Sequence, residues 1–190
     1  MSEEHRMNRR TEGYMLSHDI DWYFNYKGYI FHCASNGGII PQDCRKITYQ
    51  NLIRRTIKEM TLSLNNEDLY INDDYVNRVV TRQQEKWEEI CESTPRLVAL
   101  FNPELVRELY LSSFVVKAKK GLIAWDRINN GGEESFERDS QDTYVVVAAP
   151  QKDLLETLVK DSAYQTTRGL LIDMSNCIKI QDKTFTINTI

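Results

Sequence analysis

Along Ile20–Ala34 the chain alternates its apolar positions with a period of two, interrupted at Asn25-Tyr26-Lys27-Gly28. Asparagine at the first and glycine at the fourth position suit a type I turn closed by a glycine bulge, which predicts a hairpin pairing Asn25 with Tyr29. On that register Phe24 faces Ile30, Trp22 faces His32 and Ile20 faces Ala34 on one side. Tyr23 faces Phe31, Asp21 faces Cys33 and Asp19 faces Ser35 on the other. The first side is almost wholly apolar, as one buried face requires.

The period then lengthens to that of a helix. Ile53, Ile57, Met60 and Leu64 predict a helix over about Ile47–Ser63, and a stripe of Tyr75, Val76, Val79, Val80, Trp87, Ile90 and Cys91 predicts a longer one starting at Asn72 or Asp73. Asp73 and Asp74 suit the positive end of its dipole. Thr94-Pro95 and Asn102-Pro103 read as cap-then-proline starts. The second opens a helix through Val106, Leu109, Tyr110 and Phe114, with Lys117, Lys119 and Lys120 in its last turn and Gly121 as its stop.

Strand signals return in the last third. Leu122–Ile128 and Thr143–Ala149 are candidate strands, and the second is apolar on both faces, so it belongs in the middle of a sheet. Pro150 begins a short helix carrying Leu154, Leu155, Leu158 and Val159, and Gly169–Met174 reads as a further strand. A closing hairpin pairs Ile180 with Phe185 and Ile178 with Ile187 across Asp182-Lys183. These elements predict an α+β fold: a mainly antiparallel sheet made of the N-terminal hairpin and the C-terminal strands, covered by the central helices. The strand–helix–strand run through Thr143–Met174 leaves room for one parallel pair. Residues 1–16 lack periodicity and read as a flexible arm ahead of a single domain over residues 17–190.

Composition narrows the class. A chain of 190 residues, 41% hydrophobic and 27% charged, is long enough for one sizeable core. A net charge of −4 disfavours a general nucleic-acid binder. The first residues lack the apolar stretch of a secretory signal, and no window approaches the ~18 apolar residues of a membrane span. Cys33, Cys44, Cys91 and Cys177 form no C-x-x-C pair, which fits reduced, buried thiols and a cytoplasmic protein without membrane association.

Candidate chemistry concentrates in residues 17–41. His18, Asp19, Asp21 and His32 are all possible metal ligands, and a metal there would activate water for hydrolysis. The predicted register places Asp19 and Asp21 on one face and His18 and His32 on the other, too far apart to share an ion. A solvated or backbone-capping role for the two aspartates is therefore favoured, with no metal and no cofactor expected. Asp19-Ile20-Asp21 also spells the D-x-D of nucleotide-sugar transferases, without the preceding nucleotide-binding unit. A zinc site from His32, Cys33 and Cys44 lacks a fourth ligand. Ser35-Asn36-Gly37-Gly38 has the glycines of a phosphate cradle but no P-loop lysine, and reads as a turn. No G-x-S-x-G elbow supports serine catalysis.

Two charge features point outward. Arg54, Arg55 and Lys58 give the first helix a basic face, and Asn129–Asp142 carries Glu133, Glu134, Glu137 and Asp139 in a long polar connection. Both are candidate partner surfaces. The expectation is a non-enzymatic protein-binding domain of inhibitor, immunity or adaptor type, with an unknown protein partner. A metal-dependent hydrolase on the Asp19/Asp21 hairpin, or a nucleic-acid or nucleotide binder through the basic helix 45–60, are the alternatives.

Overall fold

The computed structural model describes residues 11–38, 40–128, 141–176, 178–181 and 184–188. The elements run α1 (Glu12–Leu16), β1 (Asp21–Tyr26), β2 (Tyr29–Ala34), α2 (Ile47–Glu59), β3 (Leu69–Ile71), α3 (Asp73–Ile90), α4 (Pro95–Val98) and α5 (Pro103–Lys119). They continue with β4 (Ile123–Arg127), β5 (Gln141–Pro150), α6 (Lys152–Leu158), α7 (Ser162–Gly169), β6 (Ile178–Gln181) and β7 (Thr184–Asn188). The seven strands form one mixed sheet in the order β1-β2-β4-β5-β7-β6. β5 is its spine: β4 pairs along one edge, while β7 and then β3 share the other. The result is the expected α+β class, mostly antiparallel.

The one parallel ladder among the described strands is β2 with β4, joined through the central helices, and not a pair within Thr143–Met174. Gly169–Met174 is not a strand. Asp161 caps α7 by accepting from the Tyr164 N–H, so helix continues to Gly169. The following residues then run along the open edge of β1. There the Asn25 N–H donates to the Ile172 carbonyl and the Met174 N–H to the Asn25 carbonyl, both at 2.8 Å. An exposed strand edge invites pairing with another chain, and this segment occupies that edge at Asn25. The closing hairpin keeps the predicted register, with Ile178 opposite Ile187 and Ile180 opposite Phe185. Of the expected arm, residues 1–10 lie outside the described residues, and α1 sinks Met15 fully into the core.

The N-terminal hairpin departs from its predicted register by one residue. Tyr26 pairs with Tyr29 and Tyr23 with His32, because the turn is the two-residue Lys27-Gly28 with both φ positive (50° and 89°). Such a turn matches the right-handed twist of the strands better than a type I turn does. Asn25 still closes it, accepting from the Gly28 N–H through Oδ1 at 3.1 Å, but remains in the ladder. Ser175 Oγ holds the Lys27 N–H at 2.8 Å.

A one-residue slip exchanges which face of β2 lies beside each face of β1. Trp22, Phe24, Phe31 and Cys33 therefore share one side of the sheet with Trp125 and Tyr144, packed beneath Met15, Ile40, Cys44, Met174 and Ile178. Tyr23, Ile30, His32 and Ala34 share the other with Ala124, Val145 and Val147, under α2, α3, α5 and α7. Both faces are buried, where the predicted register has one apolar, buried face.

Candidate functional site

The slip brings together two groups that the predicted register separates. Tyr23 and His32 are direct cross-strand partners, and Asp21 lies diagonally from His32 on the same face. The Asp21 carboxylate contacts His32 Nε2 at 2.8 Å through Oδ1. From the last turn of α5, the Lys117 ammonium donates to Tyr23 Oη at 2.7 Å and to Asp21 Oδ2 at 3.3 Å. α2 closes the edge, with Arg54 donating to the Asp21 carbonyl at 3.2 Å. The cations at the end of α5, read as dipole complements, thus include one that reaches back to the sheet.

His32 has no exposed surface and its Nδ1 finds no partner, whereas the Asp21 side chain is 35% exposed. Burial disfavours the imidazolium and outweighs the help of Asp21, so the His32 pKa falls below its ordinary value. The neutral tautomer with the proton on Nε2 fits the geometry: it donates to Asp21 and leaves only a lone pair unmatched at Nδ1. Burial alone would raise the Asp21 carboxyl, but the His32 contact and the Lys117 ammonium hold it well below the usual carboxylate range. Asp21 is thereby a partly exposed carboxylate tied into a side-chain network. Both oxygens are engaged, and Lys117 already supplies a cation.

A second polar group lies on the same face one strand further in. Ala34 pairs with Asp126 on β4 as well as with Asp21 on β1. Asp126 Oδ2 accepts from Tyr110 Oη at 2.7 Å and Tyr75 Oη at 3.2 Å, which ties α5 and α3 to the sheet. Burial raises the Asp126 pKa to about 6 despite those two hydrogen bonds, and raises both phenols well above their usual value. Asp126, Lys117, Tyr23, Tyr75 and Tyr110 carry no motif. The one signal for them is Asp126 itself, a charge that follows the apolar run Ile123-Ala124-Trp125 at a buried position of its strand.

The remaining candidates do not converge here. Asp19 is exposed and caps the turn that follows β2, accepting from the Asn36 N–H at 2.7 Å. His18 is exposed, stacks on Tyr14 and places Nδ1 2.8 Å from the Tyr14 carbonyl. Asn36 and Gly37 have positive φ, and a Cβ on Gly38 would stand 2.5 Å from Arg127 Cδ, so this stretch is a close-packed turn. Arg55 pairs with Glu59 and Lys58 is exposed, while Arg54 is held by the Asp21 carbonyl, so the basic face is partly structural. Glu133, Glu134, Glu137 and Asp139 lie outside the described residues. Cys33, Cys44 and Cys91 are buried free thiols, and burial pushes the Cys33 thiol far up, away from nucleophilic use.

Among the described residues no three His, Cys, Asp or Glu side chains are grouped to hold a metal. Among the described residues, recesses open between β3 and α5 and along α3, and neither of these includes Asp21, His32, Lys117 or Asp126. No helix among the described residues is long and apolar enough to cross a membrane. No family model, no curated protein and no solved structure matches the chain.

Apolar surface is the other feature of note. On α5, Leu105, Leu109 and Val116 are 50%, 65% and 58% exposed, in line at spacings of four and seven residues. The C-terminal half of α3 leaves the core, so that Ile90 is 78% exposed despite its place in the predicted apolar stripe. Leu100, in the link from α4 to α5, is 70% exposed.

Proposed function

We propose that this chain is a non-enzymatic protein-binding domain whose contact surface is the outer face of α5. The carrying observation is the line of Leu105, Leu109 and Val116, each at least half exposed, on a helix whose inner face already covers the sheet. Scattered apolar residues on a surface are ordinary, but three of them aligned on one helix face favour an interaction site. The polar networks support the same reading. Asp21, His32 Nε2, Tyr23 and Lys117 bond to one another, as do Asp126, Tyr75 and Tyr110, and each set ties helices to the sheet.

An acid–base or metal-assisted hydrolase is the competing reading, favoured by the 2.8 Å contact of Asp21 with His32. It needs a substrate to reach the imidazole, which has no exposed surface. A photo-crosslinking amino acid placed at Leu109, and for comparison at Glu88 on α3, tests the proposal in producing cells. Protein adducts at Leu109 and none at Glu88 are expected. No protein adduct at Leu109 would remove the basis of the binding reading.

A further inference from the structure

The outer face of α5 has a pattern that reads almost the same in both directions. Leu109 lies in its N-terminal half, Ser112 and Ser113 at its centre and Val116 in its C-terminal half, while Leu105 extends the N-terminal end and Lys120, just beyond the helix, turns its ammonium to the Met60 carbonyl. A two-fold interface requires such self-complementarity, because each residue meets its counterpart's mirror position. Charge follows the same rule. Glu108 and Lys119 stand eleven residues apart, about three helical turns, and so project from the same flank. Neither has an ion-pair partner among the described residues. When two helices pack antiparallel, like flanks meet with their ends reversed, and Glu108 of each faces Lys119 of the other. Parallel packing would bring opposite flanks together and leave both charges without each other.

We propose that the partner of this surface is a second copy of the chain, with the two α5 helices antiparallel about a two-fold axis near Ser112 and Ser113. The small serines let the helices approach closely at the axis, and Leu109 of each copy lies over Val116 of the other. Beside the stripe, the recess lined by Leu69, Ile71, Leu111 and Val115, about 270 Å³, takes up apolar side chains from the second copy. A helix of 17 residues presents a face about 25 Å long. With the adjoining recess it buries several hundred Å² per copy, at the lower end of specific interfaces, so association falls in the micromolar range.

This inference rests on the protein-binding reading and is tested separately from it. The mass of the full chain, followed by sedimentation over a roughly hundred-fold concentration range across the micromolar region, should pass from one copy to two. Leu109→Glu should remain a single copy with an unchanged thermal melt, since the side chain is mostly exposed. Glu108→Lys and Lys119→Glu should each weaken the dimer by about tenfold, as expected for a rim charge pair, and mixing them should restore it. Three results overturn the proposal: a wild type that stays monomeric throughout, a dimer that survives Leu109→Glu, or a mixture no tighter than either variant alone. Adducts at Leu109 to a different protein, with a monomeric wild type, would overturn the dimer and leave the binding reading standing.

Discussion

Asp126 makes a quantitative claim about stability. Its pKa rises from 3.8 to about 6 because the carboxylate is buried on the helix-covered face of the sheet with only hydroxyl and amide donors around it. Between those two values the folded chain binds more protons than the unfolded one, so stability falls as pH rises through this window. The whole displacement corresponds to about 3 kcal/mol, of which about 2 kcal/mol is lost between pH 4.5 and pH 7. His32 acts with the opposite sign. Its depressed pKa means that the folded chain binds fewer protons below pH 6.5, which makes stability rise with pH there. The wild-type profile therefore mixes two opposed slopes, and the difference from Asp126→Asn isolates one. Unfolding free energies from urea titrations at several pH values between 4.5 and 7.5 should show the variant gaining about 2 kcal/mol on the wild type as pH rises. Any fixed cost of placing the amide among Tyr75, Tyr110 and the sheet is independent of pH and does not affect that slope. Tyr110→Phe removes the 2.7 Å donor and should move the wild-type loss to higher pH. Parallel profiles for wild type and Asp126→Asn, within about 0.5 kcal/mol, would refute the account of a buried, titrating carboxylate.

Two further substitutions probe the sheet and its helices. Asp21→Ala leaves the His32 N–H without its acceptor and Lys117 with Tyr23 Oη but no counter-charge, and should cost about 1–3 kcal/mol in urea unfolding, with a smaller cost when Lys117→Met is already present. A loss below about 0.5 kcal/mol would mean the carboxylate behaves as a solvated one. Gly121→Ala places a Cβ 2.8 Å from Leu62 Cδ2 and 3.2 Å from Tyr164 Cε2 at a φ of +84°, and should lower stability by roughly 1–3 kcal/mol. A thermal melt indistinguishable from wild type would show that the turn after α5 relaxes freely.

Elements whose signals are local were legible in the sequence. Asn72 and Asn102 cap their helices through their side chains, Gly121 stops α5 with a positive φ, and the apolar run in Gln141–Pro150 lies at the centre of the sheet. What failed depended on pairing at a distance. The parallel ladder forms between β2 and β4, some ninety positions apart, and no periodicity specifies which strands meet. Gly169–Met174 has a strand's composition but only skirts the edge of β1 through a single bridge at Asp173. The apolar stripe of α3 overstates burial because a helix can outrun the sheet it covers, as Ile90 shows.

The hairpin shows how a small misreading at a turn reaches the candidate chemistry. Asn25 and Gly28 satisfy either a three-residue loop with a bulge or a two-residue turn, and the choice turns on whether Lys27 accepts a φ of 50°. A lysine rarely does. Here the Ser175 hydroxyl and the Asn25 carboxamide hold the turn in place, and Ser175 is 148 residues away. Local propensity thus favours the wrong register, and a long-range contact favours the right one. The strand itself offers no correction. Trp22, Phe24, Phe31 and Cys33 make one apolar face, while Tyr23, Ile30 and Ala34 make another that is apolar enough to be buried. Only the helix above it explains the polar members of that second face. Lys117 on α5 gives Asp21 and Tyr23 an ammonium partner, and Tyr110 and Tyr75 give Asp126 two hydroxyl donors. Buried charges persist only where such partners exist. The inner face of α5 is thus committed to the sheet by both packing and charge, which leaves Leu105, Leu109 and Val116 exposed on its outer face.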